Sequence, residues 1–297
     1  MRVAVTGATG FLGRYIVTHL ASEGHQCRCW YRPESDRGGF DAEGEEIEWL
    51  EGSLANEGSM VALADGMDAV VHAALDRPGL GFRGAEGDVT TFVEVNVLGT
   101  IRLIEAARKA DVPRFIFIST CAVHEKILTD RKLDETHPTW PKSHYGAHKA
   151  AIETFIHSYG WGEGYDICSL RPTGIYGPAR PIKRSKWYDL VHAVKAGETI
   201  SSAKGGKEVY AGDVAKAVAI LLTAESIAGE AFNCYDMYIA DQDVAAIAQE
   251  VTGSASTIEY LNEGPKNQII TKKLRDLGLR FSGDAALERT VRELLKS

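Results

Sequence analysis

The stretch that most constrains this chain stands at its start: Val3-Ala4-Val5-Thr6-Gly7-Ala8-Thr9-Gly10-Phe11-Leu12-Gly13. A short apolar run enters three glycines, after which Phe11, Leu12, Tyr15, Ile16 and Leu20 recur at helical spacing. Strand, glycine turn and helix in this order form a receptor for a phosphate group. Glycine permits a tight turn with positive φ, its missing Cβ lets a pyrophosphate approach the backbone, and the helix N-terminus presents unpaired N–H groups with a favourable dipole. The spacing is Gly-x-x-Gly-x-x-Gly rather than the Gly-x-Gly-x-x-Gly of most dinucleotide folds. Glycine also marks ordinary turns, but the position directly after an N-terminal strand favours the phosphate reading.

Apolar strands alternate with helical patterns beyond this point. Strands are predicted over Arg2 to Thr6, Gln26 to Tyr31, Glu46 to Glu51, Ala69 to Ala73, Arg114 to Ser119 and Asp166 to Arg171. Helices are predicted over Phe11 to Glu23, Ser59 to Ala64, Thr91 to Ala110, Tyr145 to Tyr159, Asp213 to Leu222 and Ala285 to Leu295. The order calls for an α/β fold, a Rossmann-type doubly wound parallel sheet with helices on both faces. Gly174, Gly177, Pro178 and Pro181 mark a break, after which a smaller α/β substrate lobe is expected over the sheet's carboxyl edge. Residues 1–177 with about 207–227 are assigned to the dinucleotide-binding domain, and 178–206 with 228–297 to the lobe.

Composition narrows the classes. The net charge of −8 is diffuse and has no basic stripe, which argues against nucleic acid and anionic membranes as partners. Met1-Arg2 leads straight into a strand and no apolar run reaches spanning length, so the chain is expected in the cytoplasm. Five cysteines without metal-type spacing read as reduced thiols, and no metal site is expected.

Tyr145 and Lys149 stand four apart, on one face of a helix. A phenol loses its proton near pH 10, and an ammonium a few ångströms away favours the phenolate and brings the group towards acid–base work near neutrality. Taken alone, Tyr-x-x-x-Lys is more often a solvated helix surface. Ser119 and Thr120 change that, because they place hydroxyls at the carboxyl end of a predicted strand, where one can orient a substrate alcohol or carbonyl.

At this point the chain resembles the extended short-chain dehydrogenase/reductase family, the branch of NAD(P)-dependent epimerases, dehydratases and reductases. The matching pieces are Thr6-Gly7-x-x-Gly10-x-x-Gly13, Asp68-Ala69-Val70-Val71-His72-Ala73-Ala74, Asn96-Val97-Leu98-Gly99-Thr100, Ser119-Thr120-x-x-Val123, Tyr145-x-x-x-Lys149, Arg171-Pro172-x-x-x-Tyr176-Gly177-Pro178 and Asp213-Val214-Ala215. The resemblance implies that Thr120, Tyr145 and Lys149 are catalytic, Tyr145 as general acid/base and Lys149 on the nicotinamide ribose. It further implies that Gly7, Thr9, Gly10, Phe11, Leu12, Gly13, Arg32, Ser53, Leu54, Ala73, Ala74, Asn96, Ile118, Pro172, Thr173 and Ile175 hold the dinucleotide. Leu75, Cys121, His124, His144, Arg184 and Trp187 are the implied substrate contacts. A homodimer through the Thr91 to Ala110 and Tyr145 to Tyr159 helices is also implied.

The second strand bears on which dinucleotide binds. An acidic residue at its end would take a ribose hydroxyl, whereas an arginine grips a 2′-phosphate; here Tyr31 and Arg32 stand there, so NADP is preferred over NAD. Arg37 is a second candidate contact, and an Arg32 that simply faces solvent is the alternative. Ser53 replaces the acidic residue that relatives use near adenine.

Absences narrow the reaction. Relatives that dehydrate carry Asp-Glu directly after the catalytic Thr, where this chain has Cys121 and Ala122. Nucleotide-sugar epimerases carry an Asn on the sugar diphosphate, where this chain has Gly174. The expected activity is hydride transfer between nicotinamide and an alcohol or carbonyl of a small sugar, sugar acid or polyol. Epimerisation of a sugar or nucleotide sugar, and redox sensing without turnover, stay open. Lys183, Arg184 and Lys186 beside Trp187 and Tyr188 could hold an anionic group, or form a solvated loop.

Overall fold

Val3, Ala4, Val5, Val70, Val71, Phe115, Ile116 and Phe117 have no solvent-exposed surface. Strands buried on both faces read as unbroken apolar runs, the signature of a parallel sheet covered by helices. The computed structural model describes residues 1–40, 46–77, 84 and 86–297, and there these runs form such a sheet. In chain order the strands are β1 (Arg2–Thr6), β2 (Gln26–Tyr31), β3 (Ile47–Glu51), β4 (Ala69–His72), β5 (Arg114–Ile118), β6 (Asp166–Pro172), β7 (Gly174–Tyr176), β8 (Ile200–Ser202), β9 (Gly205–Tyr210), β10 (Glu230–Cys234), β11 (Met237–Ala240) and β12 (Ile258–Tyr260). The helices are α1 (Phe11–Ser22), α2 (Glu57–Ala64), α3 (Val89–Val93), α4 (Gly99–Lys109), α5 (His144–His157), α6 (Tyr188–Lys195), α7 (Ala211–Thr223), α8 (Asp241–Thr252), α9 (Lys272–Asp276) and α10 (Gly283–Leu294).

The large sheet runs β10-β6-β5-β4-β1-β2-β3, and every neighbouring pair is parallel. Chain order reverses at β1, where Val3 pairs with Cys27 of β2 on one side and Ala69 of β4 on the other. Open parallel sheets bind ligands outside the carboxyl ends of their strands at this reversal.

Two compact units are present. The first comprises Met1–Pro172, Val214–Cys234 and Ile270–Leu279, and the second Thr173–Asp213, Tyr235–Ile269 and Arg280–Ser297. Leu103, Ile104, Phe115, Ile152 and Ile156 anchor the first core, where each such side chain contributes about 1.5–3 kcal/mol by leaving water. The second unit contains a β11-β9-β7 sheet and a β12-β8 pair, with Tyr176, Val191, Val194, Ile239, Val244 and Leu287 in its core. Among the described residues no helix is long and apolar enough to cross a membrane.

Two sequence expectations change. Residues 228–297 were expected to lie wholly in the lobe, yet β10 is the edge strand of the large sheet, with Glu230 beside Cys168. Asn233 disguised it, a polar residue whose N–H donates to Glu135 Oε1 at 2.9 Å and whose Nδ2 donates to Ile270 O at 3.3 Å. The helix expected over Thr91 to Ala110 is instead α3, a π-helical turn at Glu94–Leu98, and α4. Such π turns widen a helix locally and often accompany functional sites.

Candidate active site

The glycine turn closes tightly. Gly7 has φ +70°, and a Cβ on it would stand 2.8 Å from Ala73 C and O and from Ala74 N. A Cβ on Gly13 would stand 2.0 Å from Gly7 O, so the first turn of α1 rests on the turn that precedes it. Gly10 caps α1 in an extended conformation and supplies no side-chain acceptor to the amides that follow, while its own N–H donates to Gly7 O at 3.0 Å. A bare backbone at a helix N-terminus fits the pyrophosphate of a dinucleotide. Arg14 fastens this turn to the next loop, donating to Thr9 O at 3.2 Å and Gly38 O at 2.7 Å.

A relay of hydrogen bonds joins β1, β4 and the π turn. Thr100 Oγ1 donates to Asn96 O at 2.6 Å, so it accepts from His72 Nε2 at 2.8 Å. His72 Nδ1 then accepts from Thr6 Oγ1 at 2.6 Å, and that oxygen accepts the Ala74 N–H at 3.1 Å. Burial, with the Lys149 charge adding to it, pulls His72 down to about 3, which keeps the ring neutral as the relay requires. Asn96 uses both side-chain donors, on Asp76 O at 2.9 Å and Phe92 O at 3.0 Å, and accepts the Asp76 N–H at 2.8 Å. Asn96 is thereby a clamp on the segment after β4. Ala73, Ala74 and Leu75 lie part-exposed along that segment.

Thr120 follows β5 and opens a 3-10 turn at Cys121–His124, its Oγ1 accepting the Ala122 N–H at 3.1 Å. That leaves its hydroxyl proton for another acceptor. Ser143 caps α5 by accepting the Gly146 N–H at 3.1 Å, and the buried Glu86 accepts the Tyr145 N–H, also at 3.1 Å. A Cβ on Gly146 would stand 2.7 Å from Ala122 O, so this glycine lets the first turn of α5 lie against the turn after Thr120. Tyr145 is half-buried there, and Lys149 lies one helical turn deeper.

Lys149 Nζ donates to Ile118 O at 2.7 Å and stands 4.3 Å from the centre of the Phe117 ring. Burial pulls this ammonium down to about 7, opposed by the charge of Glu153. Burial likewise lowers the guanidinium of Arg77, with Tyr145 opposing the shift. Glu86 was not identified from sequence. His148 packs 5.4 Å from the Tyr145 ring and 4.9 Å from Phe92, and burial pulls it down to about 2.

Behind this group lies a buried ion pair. Arg171 donates to Glu153 through Nε at 2.9 Å and Nη2 at 2.7 Å, and each side chain is 2% exposed. Arg171 Nη1 also donates to His124 Nε2 at 3.2 Å, while His124 Nδ1 donates to Pro138 O at 3.2 Å. Both nitrogens of His124 are thus engaged inside the protein. Cys121 Sγ donates to Arg171 O at 3.0 Å, and burial pushes its thiol up to about 12.

The remaining candidates are dispersed. Arg32 is half-exposed at the end of β2 and pairs with Glu34 at 3.0 Å and Asp76 at 3.3 Å, while the Arg37 guanidinium stands 4.2 Å from the Tyr31 ring centre. Ser53 N–H donates to Ser59 Oγ at 3.3 Å, and Leu54 is buried against Gly99. His144 is exposed at the start of α5. Pro172 ends the first unit, whereas Thr173, Ile175, Arg184 and Trp187 belong to the second. Arg184 is exposed, and Trp187 has φ +67° with its ring 5.4 Å from Tyr176. Among the described residues no three His, Cys, Asp or Glu side chains are grouped to hold a metal ion.

The chain is 26% identical over 304 residues to a mouse dTDP-D-glucose 4,6-dehydratase, covering 93% of this chain and 83% of the relative. It is 30% identical over 206 residues to a ketoreductase of Stigmatella aurantiaca that acts on 4-hydroxy-2-methyl-3-oxo-4-farnesyl-3,4-dihydroquinoline-1-oxide, covering 64% of this chain and 58% of the relative. The fold matches the Thermus thermophilus UDP-glucose 4-epimerase in complex with NAD, with a TM-score of 0.79, 24% identity and full coverage of both chains. The family model for the NAD dependent epimerase/dehydratase family matches residues 3–234. This chain, with its glycine turn, its β5 hydroxyl and its Tyr145–Lys149 pair, belongs to that family of enzymes.

Proposed function

We propose that the protein is an NADP-preferring oxidoreductase acting on an alcohol or carbonyl of a small sugar, sugar acid or polyol. The observation that carries this reading is Lys149, a buried ammonium held at the carboxyl end of β5 one turn below Tyr145. Gly7, Gly10 and Gly13 would hold the pyrophosphate, Ser53 and Leu54 the adenine, and Lys149 the nicotinamide ribose. When bound, the nicotinamide supplies or accepts the hydride. Tyr145 gives or takes the proton at the substrate oxygen, with an ammonium at Lys149 one turn away favouring phenolate. Thr120 donates its hydroxyl proton to that oxygen and fixes its direction.

Water elimination is disfavoured in this site despite the dehydratase relatives. Ala122 has no titratable group, and the Cys121 thiol, pushed up to about 12 and bonded to Arg171 O, is a poor proton carrier. Tyr145→Phe is expected to lower kcat at least ~100-fold while dinucleotide affinity changes little; unchanged turnover on an identified substrate would end the assignment. Net change in nicotinamide absorbance during turnover separates oxidoreduction from epimerisation, which returns the hydride.

Support for NADP comes from Arg32 and Arg37 at the end of β2, where no carboxylate occupies position 31. Exposed ion pairs such as Arg32–Glu34 contribute little, so a doubly charged phosphate can displace them. Arg32→Ala is expected to weaken NADPH roughly 10–100-fold, the worth of a charged hydrogen bond, and NADH only slightly. Equal losses in fluorescence titrations would remove the preference.

A further inference from the structure

Arg37 is exposed in the loop after β2, and its guanidinium stands 4.2 Å from the ring centre of Tyr31, the last residue of that strand. An exposed loop costs entropy to order when a ligand arrives, unless the fold has ordered it beforehand. Here the fold does so from three sides. Asp36 Oδ1 accepts the Gly38 N–H at 2.9 Å, which closes a turn around Arg37. The buried Phe40 packs with its ring centre 5.2 Å from that of Trp49 on β3. Arg14 of α1 supplies the third hold.

Arg14 Nη1 donates to Gly38 O at 2.7 Å and Nη2 donates to Asp36 O, so one guanidinium grips the carbonyls on either side of Arg37. Its Nε donates to Thr9 O at 3.2 Å in the glycine turn, and its Cζ stands 4.8 Å from the centre of the Phe40 ring. Nη2 also lies 3.6 Å from Asp36 Oδ2, which gives that carboxylate a counter-ion and lessens its repulsion of an incoming phosphate. The Arg14 side chain is 13% exposed, and all these residues belong to the first unit. Each of its three nitrogens takes a different carbonyl, a task for a planar fork of donors. A lysine ammonium would have to gather all three carbonyls at one atom.

We propose that Arg14 is a positioning residue for a 2′-phosphate: it holds the Asp36–Gly38 turn so that Arg37 stays at the end of β2, where a phosphate on the adenosine ribose is gripped. The proposal deepens the NADP preference above and rests on it. Arg37 makes the contact, and Arg14 makes that contact ready before the dinucleotide arrives.

Fluorescence titrations with NADPH and NADH test this without a substrate. The quantity read is the preference, the dissociation constant for NADH divided by that for NADPH, which cancels any effect of Arg14 on the glycine turn through Thr9. Arg37→Ala is expected to lower the preference roughly 10-fold, the worth of a charged hydrogen bond. Arg14→Lys keeps the charge and loses the fork, and is expected to lower it ~3–10-fold, the cost of ordering one long side chain. In the Arg37→Ala background the same Arg14→Lys is expected to lower it less than ~2-fold further, because the residue it positions is gone. Arg14→Gln is carried through the same cycle should Arg14→Lys fail to bind NADH or to unfold cooperatively on heating.

An unchanged preference in a folded Arg14→Lys overturns the proposal, since charge alone would then suffice, and leaves the NADP preference standing. Full additivity of the Arg14 and Arg37 substitutions overturns it too, because Arg14 would then act without Arg37. A wild type that binds NADPH no more tightly than NADH ends the NADP preference and the positioning role together, while hydride transfer through Tyr145 is left to its own test.

Discussion

Lys149 and Lys186 put the same side chain to opposite uses. Lys149 is buried against a carbonyl and an aromatic ring, and burial pulls it down to about 7. Lys186 is 39% exposed and bonds a buried carboxylate. The difference traces to where the carboxylates go. Glu153 lies one turn beyond Lys149 on α5, but Arg171 occupies both of its oxygens. Lys149 therefore has no carboxylate bonded to it among the described residues. Glu208 has no arginine bonded to it there, so Lys186 becomes its counter-ion. Lys149 lacks a carboxylate partner there because another cation, Arg171, has taken Glu153.

The largest effect that can break this contrast is in turnover. Lys149→Met keeps the apolar stem and removes the ammonium, and kcat is expected to fall ~100–1,000-fold; a loss under tenfold would show that the charge is not the working part. Next comes stability. Lys186→Met leaves Glu208 buried without its cation, and urea unfolding is expected to show a loss of about 1–3 kcal/mol. No loss would mean the pair is dispensable and the comparison misplaced.

The smallest effect is in the pH dependence of stability, where the two sites have opposite signs. The folded Lys149 value of about 7 lies below its ordinary 10.5. Between these values the unfolded chain binds more protons, so this residue's contribution makes stability rise with pH across that window. Glu208 is raised above its ordinary 4.5 by burial, with Lys186 opposing. There the folded chain binds more protons, and the contribution is lost as pH rises from 4.5 through the folded value. Denaturation series on Lys149→Met and Glu208→Gln should each flatten one window; flattening of both by one variant would mean the sites are not independent.

Much of the first unit could be read from the sequence because burial on both faces leaves runs such as Phe115-Ile116-Phe117-Ile118 without ambiguity. The glycine turn and the Tyr145–Lys149 spacing were equally plain, since each pattern follows from local geometry. β10 was hidden because Glu230 and Asn233 find polar partners across long sequence separations. Glu86 was missed for the same reason, as nothing near it in sequence says that it meets α5. Gly174 was noticed as an absence, but only the register of β7 against β9 shows that Glu208 fills the space.

The relay through His72 has one more consequence. Every proton in it points the same way, from the Ala74 amide to the Asn96 carbonyl. Reversing one would put two hydrogens, or two lone pairs, face to face at the next link, so the three side chains behave as a single polar switch frozen in one setting. Replacing either threonine by valine conserves shape but halts this procession midway. The glycine turn and the segment beyond β4 are thereby coupled through one directed chain of hydrogen bonds.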